Sequence, residues 1–269
     1  MRGKLIAVAA AACALLTAAL PSAASAAPAG APGGAPAKAT PAPAARAPAE
    51  HSGDARELGT SRFGIVHVYV PAGAPQSVAI FVSGDGGWEL GVVNMARALR
   101  EMGAVVIGVD ITHYFASLRH AAQRTDAHCE MIAADLESLS HQVQKQIGLS
   151  EYQVPVLIGY SSGATLVYAA LVQSPPGTFA GALSLGFCPD QDFAGAQLCP
   201  GSGLHYRENA QHELVLEPAT HLRQPWIALQ GEKDQVCVAQ VADEFAARVT
   251  GAAVVKLSLI HISEPTRPY

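Results

Sequence analysis

From residue 63 onward, short apolar runs alternate with longer stretches whose apolar residues recur at helical spacing. "FGIVHVYV" and "SVAIFVS" have strand length and are joined by the Pro/Gly-rich turn "PAGAPQ". "ELGVVNMARALREMG" has helical spacing and stops at Gly103, and "AVVIGVD" is again a strand. "DAHCEMIAADLESLSHQVQKQIG" opens on Asp126 as a cap and closes at Gly148. The strand "VPVLIGY" leads into an alanine- and leucine-rich buried helix, followed by the strands "GALSLGF" and "PWIALQG". "VADEFAARVTG" is a helix and "AVVKL" starts a last strand. Strands that are apolar on both faces need helices on both faces, so the pattern predicts a mostly parallel, doubly wound α/β sheet. Residues 188–224 break the rhythm and are expected to cross over the top of the sheet, where they would shape a pocket.

The ends do not share this pattern. "MRGKLIAVAAAACALLTAALPSAASA" has early positive charge, an apolar core and an Ala24-Ser25-Ala26 ending, the pattern of a signal peptide over 1–26. Residues 27–55 are mostly Ala, Pro and Gly and read as a flexible tether, leaving 56–256 as one folded domain. The stretch "LSLIHISEPTRPY", 257–269, resembles a translated sequencing adapter and is expected to be a non-native tail.

Composition narrows the function. A net charge of −5 without a basic stripe argues against nucleic-acid binding. Export would remove Cys13 and leave Cys129, Cys188, Cys199 and Cys237, an even number that admits three disulfide connectivities. Cys188 and Cys199 bracket one short loop, so they are expected to pair, with Cys129 and Cys237 paired by elimination. No C-x-x-C or H-x-x-x-H spacing supports a metal site, and no cofactor is implied.

The chemistry sits at three glycine-bearing segments placed after strands, where open parallel sheets bind ligands. Gly159-Tyr160-Ser161-Ser162-Gly163 follows a strand and opens a helix, the setting of a nucleophile elbow with Ser161 as nucleophile. A small-residue turn is the bland alternative. "SGDGGW", 83–88, follows the second strand, where glycines 84, 86 and 87 let backbone amides face a substrate oxygen. Gly86 and Gly87, with the amide of Ser162, are the expected oxyanion hole. "LQGEKDQVC" places Asp234 just after a late strand, where the acid of a Ser–Asp–His triad belongs. His261, within the doubtful tail, is the only histidine after Asp234 and so the candidate base. Asp85, Glu89 and Asp110 stand at strand ends and, with Trp88, are candidate binding residues.

"FVSGDGGWELGVVNMARALREMGAVVIGVDITHYF", followed by "GYSSGA" and "GEKD", resembles the bacterial virulence protein VirJ family, also called the AcvB/VirJ domain, from about Gly64 to Lys256. The resemblance implies an exported α/β-hydrolase of the periplasm, with Ser161 as nucleophile and Asp234 as acid. It further implies hydrolysis of aminoacylated phosphatidylglycerol at the membrane surface, or a part in type IV secretion beside secretion-system components. The family's histidine has no match before residue 257. A generic small-ester or thioester hydrolase and a non-catalytic secretion factor remain open at this point.

Overall fold

A computed structural model describes residues 54–124 and 128–258. The signal-peptide and most of the tether reading, the Asp126 cap and His261 lie outside the described residues.

Eight strands form one sheet in the order β1-β2-β4-β3-β5-β6-β10-β11. They are β1 (Arg56–Thr60), β2 (Gly64–Tyr69), β3 (Ser77–Val82), β4 (Ala104–Val109), β5 (Val156–Tyr160), β6 (Gly181–Leu185), β10 (Trp226–Gly231) and β11 (Ala252–Leu257). β2 is antiparallel to both β1 and β4; every pairing from β4 to β11 is parallel. All carboxyl ends of the parallel strands therefore share one edge of the sheet.

Alternation along β3 shows how the core divides. Val78, Ile80 and Val82 point into one cluster and Ala79 and Phe81 into the other. α1 (Val93–Glu101) packs on the Phe81 side with Trp88. α2 (Ile111–Ala122), α3 (Ile132–Gln146), α4 (Ser162–Gln173) and α5 (Ala239–Ala246) contribute to the other side. Every residue of α4 is buried, which explains why its sequence is apolar all round rather than amphipathic. An aromatic cluster locks α4 to the sheet and to α5: Tyr168 lies 4.6 Å from Trp226 and Phe187 5.0 Å from Phe245. Each such pair adds about 1 kcal/mol beyond its buried area.

Residues 188–224 reach beyond the strand ends where they were expected. They run along α4 from Cys188, whose O accepts from Thr165, to Ser202, whose amide donates to Gln173 O, and their apolar side chains join the main core. β7 (Asp190–Gln191), β9 (Leu214–Leu216) and β8 (Tyr206–Glu208) make a small antiparallel sheet. Tyr168 anchors its far end by accepting the Ala219 amide at 2.9 Å.

Three features differ from the sequence expectations. β1 is a strand that the apolar pattern does not reveal, because "RELGT" is a largely exposed edge strand without an apolar run. α2 is a helix that the apolar pattern also does not reveal, with Asp110 capping it by accepting from the Thr112 amide. The cysteines pair as Cys129–Cys199 and Cys188–Cys237, with Cα atoms 4.8 and 5.1 Å apart, not as Cys188–Cys199 and Cys129–Cys237. The reason is topological. Cys188 follows β6 and Cys237 follows β10, and these strands are neighbours in the sheet. Cys199 instead reaches Cys129 beside a parallel bridge between Glu130 and Leu198. Nearness along the chain was the wrong guide.

Candidate active site

β5 ends at Tyr160, and the chain reverses into α4 through a single residue, Ser161, with φ 53° and ψ −122°. That backbone is costly for a residue with a Cβ and persists only where its surroundings fix it. Here the surroundings are visible. The Ser161 amide donates to Leu185 O at 2.8 Å, and Ser161 O accepts from the Ala164 amide at 2.7 Å. The two motif glycines allow strand and helix to touch: a Cβ on Gly159 would lie 2.0 Å from Gly163 O, and one on Gly163 2.5 Å from Val82 O. The elbow is thus set by close packing on both sides of the serine, and a plain surface turn would need none of it. Ser161 itself stays half-exposed, while Ser162 begins α4 with its amide in the first helical turn. A helix N-terminus is where developing negative charge is stabilised.

Directly across, the turn after β3 approaches the serine. A Cβ on Gly84 would lie 3.0 Å from the Ser161 Cβ. Of the two glycines expected to donate to an oxyanion, Gly87 already donates its amide to Gly84 O at 3.0 Å, closing a turn. The exposed part of the loop is Asp85 and Gly86. Asp110 holds this loop from behind, accepting the Trp88 amide at 3.1 Å while its other oxygen caps α2. Burial would raise the Asp110 carboxyl, but the bonds from Thr112 and Trp88 outweigh it and hold it below its ordinary value. Asp110 is therefore a loop clamp, not a substrate ligand.

Trp88 also has a structural place. It is 1% exposed, its ring occupies the space a Gly108 Cβ would take, and its indole N–H points to the Tyr69 hydroxyl at 3.4 Å. It belongs to the core and does not line the cleft, contrary to the sequence expectation. Glu89 acts electrostatically on His67 and Tyr69, both on β2, three strands away from β5. Asp85 does face a cavity, of about 310 Å³, whose lining includes Arg119 of α2 and the carboxylates of Asp192 and Glu213.

Asp234 lies in the turn after β10, 4% exposed, with its amide bonded to Gly231 O. Its Oδ1 accepts from the amides of Val236 and Cys237 at 2.9 and 3.0 Å, which fixes the orientation of the carboxylate. The ends of β5 and β10 are two strand spacings apart, about 10 Å, a gap suited to one bridging imidazole. β11 runs parallel to β10 and ends at this same edge, with Leu257 O accepting the Glu232 amide. β11 thus ends on the active-site side of the sheet. His261 follows it in the chain, outside the described residues. Among the described residues no cluster of His, Cys, Asp and Glu suits a metal ion.

Two residues important to this edge went unnoticed in the sequence. Both are buried polar side chains: Gln230 ties the turns after β6 and β10 together, and Thr165 ties α4 to the turn after β6. A buried glutamine inside an otherwise apolar strand, "WIALQG", was the available signal.

Residues 76–181 match the profile of the VirJ family, described as bacterial virulence protein (VirJ). The matched stretch holds β3, the 83–88 turn and the elbow, so the family resemblance is borne out on the most distinctive motifs. No curated protein matches the chain. Among solved structures, a dienelactone hydrolase from Anabaena variabilis ATCC 29413 is 18% identical with a TM-score of 0.52, over 79% of this chain and 90% of that one. An acylaminoacyl peptidase from Pyrococcus horikoshii is 12% identical with a TM-score of 0.52, over 76% of this chain and 36% of that one. These likenesses establish the α/β-hydrolase fold.

Proposed function

We propose that the protein is a serine esterase in which Ser161 attacks an acyl carbonyl, Asp234 orients a histidine base, and the amides of Ser162 and the 84–86 turn hold the oxyanion. The observation that carries this is the backbone of Ser161, at φ 53° at the carboxyl end of a central strand, where Gly159 and Gly163 let strand and helix meet. The base is expected from the chain after β11, where His261 stands in this sequence.

An ester is already activated for acyl transfer, so an aligned hydroxyl and two amide donors suffice without a Lewis acid. The carboxylates of Asp85, Asp192 and Glu213, which outnumber Arg119 around one cavity, support a cationic acyl group, as in the lysyl- or alanyl-phosphatidylglycerol that the resemblance to the VirJ family implies. The two disulfides fit an exported protein, which supports the periplasm as the place of action. A part in virulence or secretion would then follow from remodelling that lipid.

The test is release of amino acid from lysyl-phosphatidylglycerol vesicles and of nitrophenol from p-nitrophenyl acetate, with Ser161→Ala beside the parent. Loss of both activities supports the esterase. Turnover of the small ester alone favours a general esterase, and activity that survives Ser161→Ala ends the reading.

A further inference from the structure

Asp234 and Ser161 lie in turns that follow different strands, β10 and β5, so something must hold the acid's turn at a set distance from the elbow. The turn after β10 has few regular backbone bonds of its own. Besides a bond to β11, it is tied sideways to the turn after β6.

Gln230, the penultimate residue of β10, is fully buried. Its Oε1 accepts the Phe187 amide at 3.0 Å, and its Nε2 donates to Cys237 O. Phe187 and Cys188 form the exit of β6, so one side chain joins that exit to the turn carrying the acid. Cys237 is also the residue whose amide is accepted by Asp234 Oδ1. The Cys188–Cys237 disulfide closes the same gap covalently. From the opposite direction, Thr165 in the second turn of α4 donates to Cys188 O at 2.7 Å. A continuous path therefore runs from the serine's helix through Thr165, Cys188 and Cys237 to Asp234, with Gln230 bracing its centre.

We propose that Gln230 is a positioning residue for Asp234: it fixes the acid-bearing turn against the exit of β6 and so sets the acid's distance from the nucleophile. This rests on the esterase reading above, since it presumes that Asp234 is the acid. The physical reason is the steepness of alignment. A misplacement of about 1 Å can cost on the order of a hundredfold in rate, and an acid that drifts also steadies the imidazolium less well.

A purely structural glutamine offers the matched control. Gln173, at the end of α4, is equally buried and bridges the other disulfide, donating to Glu130 O and Cys199 O and accepting the Ala133 amide. It stands at the far end of α4 from Ser161.

The experiment compares Gln230→Met, Gln173→Met and Ser161→Ala in the full oxidised chain, following p-nitrophenyl acetate hydrolysis against pH together with thermal unfolding. Both methionine variants are expected to melt lower. Gln230→Met alone should lose kcat by about ten- to a hundredfold with KM nearly unchanged. Its acid limb should also move to lower pH, because a less supported imidazolium gives up its proton more readily. If Gln230→Met fails to fold, Gln230→Glu keeps the acceptor for Phe187 and alters only the bond to Cys237. Equal kcat and pH profiles for the position-230 and position-173 variants, with Ser161→Ala inactive, would overturn the positioning role alone. An active Ser161→Ala would instead remove the esterase reading and this proposal with it.

Discussion

Gly84 and Ser161 meet so closely that a single methyl group on the glycine would sit 3.0 Å from the serine Cβ. The turn that follows β3 and the elbow that follows β5 are thus in direct contact. Any side chain at 84 must displace one of them by a few tenths of an ångström. Gly84→Ala is expected to lower kcat/KM for p-nitrophenyl acetate by about tenfold while the melting temperature moves by only a few degrees. A variant that keeps parental kinetics would show that the turn is not part of the reacting surface.

Gly159→Ala should behave in the opposite way, as a folding defect. Its methyl would approach Gly163 O to 2.0 Å, and α4 is buried on all sides and cannot retreat. Overpacking of this kind typically costs about 1–3 kcal/mol and here is expected at the upper end or beyond. Urea unfolding followed by circular dichroism checks it; an unchanged midpoint would contradict the packing of the elbow.

Peptide mapping without reduction should recover Cys129 with Cys199 and Cys188 with Cys237. Replacing Cys129 and Cys199 together by serine is expected to cost about 4 kcal/mol in the chain-entropy account, since the bond closes a separation of 70 residues. Recovery of a Cys188–Cys199 peptide would refute the pairing.

His67 gives the fold a dependence on pH. Its ring stacks on Trp88 with centroids 5.4 Å apart, and burial lowers its pKa although Glu57, Glu89 and Asp110 pull the other way. The folded state favours the neutral ring. Its contribution is therefore complete above the ordinary histidine value, about 6.5, and is lost as pH falls through the lowered folded value. Melting temperature is expected to decline across that interval, and His67→Phe, which keeps a ring on Trp88, should flatten the decline. An identical slope in the variant would exclude His67 as its source.

The sheet was legible because its strands are apolar on both faces, and the elbow because glycine pairs and apolar flanks leave a plain signature. What escaped the sequence was decided by partners distant in the chain. α2 hides because "ITHYFASLRHAA" mixes aromatic and β-branched residues, and its clearest sign, the Asp110 cap, reads equally as a strand end. Trp88 looks like a binding residue beside a glycine turn until Gly108 of β4 is seen to make room for its ring. The cysteine pairs depend on the order of strands in the sheet, which periodicity does not contain.

The excursion of residues 188–224 has a consequence for how the chain survives damage. Cys188 and Cys199, near its start, are bonded to separate parts of the body, while Gly201 and Ser202 just beyond are exposed. A protease that clips the folded protein at this exposed point separates the chain into two pieces. The piece holding Ser161 keeps Cys188, and the piece holding Asp234 keeps Cys237, so their bond still joins the two halves. In an oxidising compartment a nicked molecule would stay in one piece, with nucleophile and acid on two polypeptides held by one sulfur bridge. After reduction the same cut would let them part.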